Sequence, residues 1–137
     1  MTKLHIGVND VTELDGTPTY DVAMILEDKY TLFSKFAESE MDSIVAALTK
    51  SVNGAIFNVE AGAPAMDPFK QGTSQIVADF QRFLDIEKMA TLGVPGVPTK
   101  AALMGVNSRK KIRKGPRRPS FIDTGILQAN IAAWIEN

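Results

Sequence analysis

Apolar residues recur at spacings of three and four along much of the chain, in three stretches, the second and third separated by a break rich in glycine and proline. This pattern places one face of a helix on a core and constrains the fold more than any other feature. The first stripe is Val22, Ile25, Leu26, Tyr30, Phe33 and Phe36. It predicts one continuous helix starting near Pro18-Thr19-Tyr20-Asp21, with Thr19 as N-cap and Asp21 favouring the first turn. The second is Met41, Ile44, Val45, Leu48, Val52, Ile56 and Val59, with Ser39 as a candidate cap and Asp42 near the start. Asn53-Gly54 is a candidate end or kink. After the break at Ala61-Gly62-Ala63-Pro64 and Asp67-Pro68, a third helix is expected from about Thr73. Its stripe is Ile76, Val77, Phe80, Phe83, Leu84 and Ile86, continued by Met89 and Leu92 beyond a bend. The sets Ile25/Phe33/Phe36, Ile44/Leu48/Val52 and Ile76/Phe80/Phe83 are expected to face one another in a single core.

The two ends read differently. Lys3 to Val8 places Leu4, Ile6 and Val8 on one side, as a short edge strand or an extended arm. Asn9 to Thr19, rich in Asp, Thr, Gly and Pro, reads as a loop. Gly93-Val94-Pro95-Gly96-Val97-Pro98 stops regular structure, and Thr99 is placed to cap a short helix through Leu103-Met104. The tail carries Ile126, Leu127, Ile131, Trp134 and Ile135. It reads either as a helix started by Asp123 or Thr124, or as a half-helix running into a terminal strand. The expected class is mainly α: a small single-domain helical bundle over residues 1–137 with little β. Residues 93–119 are its linker and extended basic arm.

Composition removes whole classes of chemistry. With no cysteine there are no disulfides, thiolate metal sites or cysteine nucleophiles. A single histidine, His5, excludes a multi-histidine metal centre, and any Ser-His-Asp triad would have to use it. His5 falls on the polar side of the first alternation and is expected at the surface. No catalytic, cofactor-binding or metal-binding residues are expected. No apolar run is long enough to span a membrane, and the N-terminus is too short and polar for a signal peptide. Glu27-Asp28 and Glu38, Glu40, Asp42 read as solubilising surface charge.

The net charge of −1 conceals a polarised chain. Seven of the 15 cations are Arg109, Lys110, Lys111, Arg113, Lys114, Arg117 and Arg118, and no acid lies between Lys88 and Asp123. The remainder carries eight cations against 16 acids. Such a dipole can bind an anionic polymer or the acidic body of a neighbouring copy. Dedicated nucleic-acid binders are usually basic overall, and stacking aromatics are sparse near the strip, which favours the neighbour.

Phe121-Ile122-Asp123-Thr124-Gly125 matches the active-site triplet of aspartic proteases, where two such carboxylates share a proton. The triplet stands too late for that role, with too little chain after it to build a flap or second sheet. Its structural reading is a cap at Asp123 or Thr124, with Gly125 allowing close backbone approach. The longer string Pro119-Ser120-Phe121-Ile122-Asp123-Thr124-Gly125-Ile126-Leu127-Gln128-Ala129-Asn130-Ile131, preceded by basic residues, resembles a motif of neck and tail-completion proteins of tailed bacteriophages. Their pattern reads Pro-Val-Asp-Thr-Gly-x-Leu, two residues, then Ser-Ile. Here Phe121-Ile122 replaces the short apolar step and Asn130 replaces Ser. The resemblance implies a non-enzymatic virion subunit, assembled in the host cytoplasm and working as a homo-oligomer with other virion subunits. Asp123, Thr124, Gly125 and Leu127 would be its structural motif. The alternative is a small DNA- or RNA-binding protein that uses the basic strip for non-specific contact.

Overall fold

A computed structural model describes residues 2–12, 16–99 and 125–137. Among them, strand β1 (Lys3–Val8) leads to helices α1 (Thr19–Tyr30), α2 (Leu32–Ser39), α3 (Met41–Glu60), α4 (Lys70–Asp85) and α5 (Lys88–Thr91). A short helix α6 (Ile126–Ala129) and strand β2 (Ile131–Glu136) follow. The expected class holds: the described residues are mainly helical, with one small two-stranded sheet. The basic arm expected within 93–119 lies almost wholly outside the described residues, as does the short helix proposed after Thr99.

The core forms where α2 and α4 meet under the sheet. Leu32, Phe36, Ile76, Phe80, Phe83, Leu84 and Met89 are buried there, joined by Ile44 and Ile131. Phe36 stacks on Phe80 with centroids 4.2 Å apart, and Phe33 meets Phe80 edge-on at 5.2 Å. Phe83 lies edge-on to both Phe36 and Phe80. Offset and edge geometries suit the ring quadrupoles, so this aromatic cluster is worth more than its buried area alone. The third stripe therefore lands as expected, except that α4 begins at Lys70 and Ile86 is exposed.

Several local expectations change. The first stripe does not lie on one helix. Thr31 adopts a left-handed conformation (φ 53°) and divides it into α1 and α2. The break is stabilised by Glu27, whose carboxylate accepts from the Phe33 amide at 2.7 Å, the Ser34 amide at 3.3 Å and the Ser34 hydroxyl. These otherwise unsatisfied first-turn donors of α2 gain a charged acceptor. The break turns Ile25 away from the core, leaving it 56% exposed, while Ala23 is buried instead.

Thr19 is not the cap but the first helical residue, fully buried. Its hydroxyl donates to the Asn9 carbonyl (2.8 Å) and accepts from the Val11 amide (2.9 Å), tying the preceding loop to α1. Ser39 ends α2 rather than capping α3, and α3 runs through Asn53-Gly54 without ending there.

The tail takes the second of its two readings, a half-helix entering a strand. A longer helix gives way because β2 finds a partner: β1 and β2 pair antiparallel from Lys3 opposite Glu136 to Val8 opposite Ile131. Leu4, Ile6, Ile131 and Ala133 pack on the core. Strand periodicity puts His5, Gly7, Trp134 and Glu136 on the other face.

Candidate interaction surfaces

Helix α3 is where the fold leaves most apolar surface open. Only Ile44 and Ser51 are buried along its 20 residues. Val45 is 54% exposed, Ile56 53%, Phe57 69% and Val59 51%, and Met66 beyond the helix reaches 73%. The expected second stripe is thus real in sequence but split in space. Ile44, Ala47 and Leu48 pack inward, whereas Met41, Val45, Ile56 and Val59 face outward. The reason is position: α3 meets the core mainly through α4, so among the described residues one side of it has no helix against it. Singly exposed apolar residues are ordinary, but a run of them along one helix marks a contact surface.

The α3–α4 hairpin is closed by two features of small residues. Ser51 donates to the Pro68 carbonyl at 2.7 Å and accepts from the Gly72 amide at 3.0 Å, so one buried hydroxyl satisfies both sides of the turn. Gly72 lets the helices approach, since a Cβ there would stand 3.1 Å from the Ala47 carbonyl oxygen and from Leu48 Cδ2. Beside this contact lies an open cleft of about 560 Å³, rimmed by Asn58, Met66, Lys70, Gln71 and Gln75. Its side-chain amides offer both donors and acceptors. Neither Ser51 nor Phe57 was singled out from the sequence: a mid-helix serine reads as a poor helix former, and Phe57 falls beside the expected stripe.

A second open surface is the outer face of the sheet. Trp134, 46% exposed, stacks against His5 with centroids 5.5 Å apart and planes 11° from parallel. Its ring lies across Gly7, where an added Cβ would come within 3.2 Å of Trp134 Cη2. His5 Nε2 sits 2.7 Å from a Glu136 carboxylate oxygen. The histidine therefore pairs the two chain ends across the sheet. Among the described residues, no group of three or more histidine, aspartate and glutamate side chains is placed to hold a metal.

The acidic clusters do more than solubilise. Glu27 holds α2, and Glu40 reaches Lys88 at 3.2 Å, linking the α2–α3 junction to α5. The interaction residues expected from the sequence, Arg109, Lys110, Lys111, Arg113, Lys114, Arg117 and Arg118, lie outside the described residues, as do Asp123 and Thr124. Gly125 is described: it takes a positive φ of 83° and is the residue that enters α6, and Leu127 is buried. The described residues carry seven cations against 13 acids, a net charge of −6.

No family model matches the chain, and neither the curated proteins nor the solved structures contain a match to it.

Proposed function

We propose that the chain is a structural subunit of a tailed-phage virion, at the neck or in the tail, assembling as a homo-oligomeric ring or sleeve without catalysis. The observation that carries this reading is charge polarity. A body of net charge −6 is joined in one chain to a strip with seven cations in ten residues. Opposite charges on different parts of identical subunits favour head-to-tail contact, the kind that closes into rings. The resemblance of the segment from Pro119 to Ile131 to neck and tail-completion proteins supports the same assignment. The open apolar side of α3 supplies surface that subunit contacts can cover.

The density of cations in the strip also supports a second reading, non-specific nucleic-acid contact through phosphates. One experiment separates the two. Arg109, Lys110, Lys111, Arg113 and Lys114 are reversed to Glu, and both proteins are followed by sizing chromatography and by a salt-titrated DNA-binding assay. Under the subunit reading, the variant stays folded and loses its oligomers or its incorporation into virions. Unchanged assembly together with lost DNA binding overturns it. Binding to phosphates would weaken by roughly 0.9 log unit per log unit of salt for each contact.

A further inference from the structure

We infer that α3 carries a self-complementary surface on which a second copy of this chain docks, its α3 crossing antiparallel at Gly54. This contact is separate from the basic strip and does not rest on the virion reading.

Three observations converge on that stretch. The first is apolar exposure without charge. Between Lys50 and Glu60, α3 has no charged residue, and Phe57, on the same side of the helix as Gly54, is 69% exposed. The exposed Ile56 and Val59 lie about 100° and about 160° round the helix from Phe57 and are not part of this face. Depletion of charge beside exposed aromatic surface is the composition of an interface centre. Two bodies that each carry a net −6 repel elsewhere on their surfaces, and this face is where they can approach.

The second is Gly54. Glycine inside a helix is unfavourable relative to alanine, so its presence needs a reason. Gly72 has one within the fold, because a Cβ would crowd α3. At Gly54 a Cβ would meet nothing within 4 Å. Nothing inside the described fold uses the missing side chain, whereas close approach of another helix does.

The third is charge complementarity. Lys50, Gly54, Phe57 and Glu60 follow at intervals of four, three and three, which puts them on one helical stripe. Among the described residues, neither Lys50 nor Glu60 is ion-paired. At about 1.5 Å per residue, Lys50 lies about 6 Å before Gly54, and Phe57 and Glu60 lie about 4.5 and 9 Å after it. An antiparallel crossing at Gly54 therefore sets each Lys50 between the Phe57 ring and the Glu60 carboxylate of the other copy. There it can make both a cation–π contact and an ion pair. A parallel crossing would oppose Lys50 to Lys50 and Glu60 to Glu60. The antiparallel contact is isologous and closes at two copies.

The test is sedimentation of the full chain over a concentration series at moderate salt, with helicity checked by circular dichroism. Lys50→Glu alone or Glu60→Lys alone turns two attractive contacts into two repulsive ones. Each is expected to weaken dimerisation by about tenfold. The double variant Lys50→Glu/Glu60→Lys restores the ion pairs with their polarity exchanged but not the cation–π contact, so it should dimerise more tightly than either single variant and recover most of the lost affinity. Because the chain has no cysteine, Asn53→Cys gives a second readout: oxidation should yield a disulfide-linked dimer in high yield. A wild-type chain that stays monomeric at hundreds of micromolar overturns the inference. So does dimerisation insensitive to the single variants, or a double variant no better than either.

Discussion

At the residue scale, the fold depends on two side chains that satisfy backbone groups far along the chain. Thr19 is fully buried with its hydroxyl between the Asn9 carbonyl and the Val11 amide. Thr19→Val keeps the shape and the β-branch but leaves both groups without that partner. It should cost about 1–3 kcal/mol, read from the shift of a urea unfolding midpoint at unchanged slope. Glu27 holds the first-turn amides of α2 from outside the helix. Glu27→Ala should cost about 1 kcal/mol, as loss of a capping side chain does. Glu27→Gln, which keeps an acceptor but no charge, should lose less. Equal losses for Ala and Gln would show that charge, not hydrogen bonding, holds the α1–α2 junction.

At the element scale, two glycines in facing and open parts of the α3–α4 hairpin should respond in opposite directions. Gly72→Ala adds a methyl 3.1 Å from the Ala47 carbonyl, Leu48 and Ser51, and should destabilise by about 1–3 kcal/mol despite the better helix propensity of alanine. Gly54→Ala meets open space within the chain and should stabilise the monomer by about 0.5–1 kcal/mol. If α3 also docks on a second copy at Gly54, the same methyl should weaken that dimer. Denaturation at concentrations below and above dimerisation reads both effects from one variant. A stabilising Gly72→Ala would mean that the helices are farther apart than this packing requires.

At the scale of the whole molecule, the two ends of the chain close the structure on itself. β1 and β2 together make a sheet too small to stand alone, and it depends on the core beneath it. The core depends on the sheet in turn, since Ile131 is buried and Leu4, Ile6 and Ala133 cover it. Deleting residues 131–137 should therefore do more than remove a tail. It should expose the Phe36–Phe80–Phe83 cluster and broaden or abolish cooperative thermal unfolding, with dye binding to the uncovered apolar surface. A truncated chain that unfolds as sharply as the intact one would show that the helices form a self-sufficient core.

What the sequence determined by itself was local and periodic. Spacings of three and four placed the helices, and proline and glycine placed the breaks after Glu60 and after Leu92. The stripe Ile76, Phe80, Phe83 and Leu84 identified the buried face of α4, because that face is apolar on one side only. The tertiary structure decided everything that depends on distant partners. The carboxylate of Glu27, four residues before Thr31, reaches past the break to the Phe33 and Ser34 amides and holds the first helix split at Thr31, and no spacing rule carries that information. Ile131 to Glu136 became a strand because Lys3 to Val8 lay alongside to pair with it, although Leu127, Ile131 and Ile135 also fit a helical period. α3 shows the limit most plainly. Its apolar stripe was legible, but which residues of it are buried was not. Periodicity records that a face avoids water, whereas only the packed chain shows whether that face is covered from within or left for another molecule.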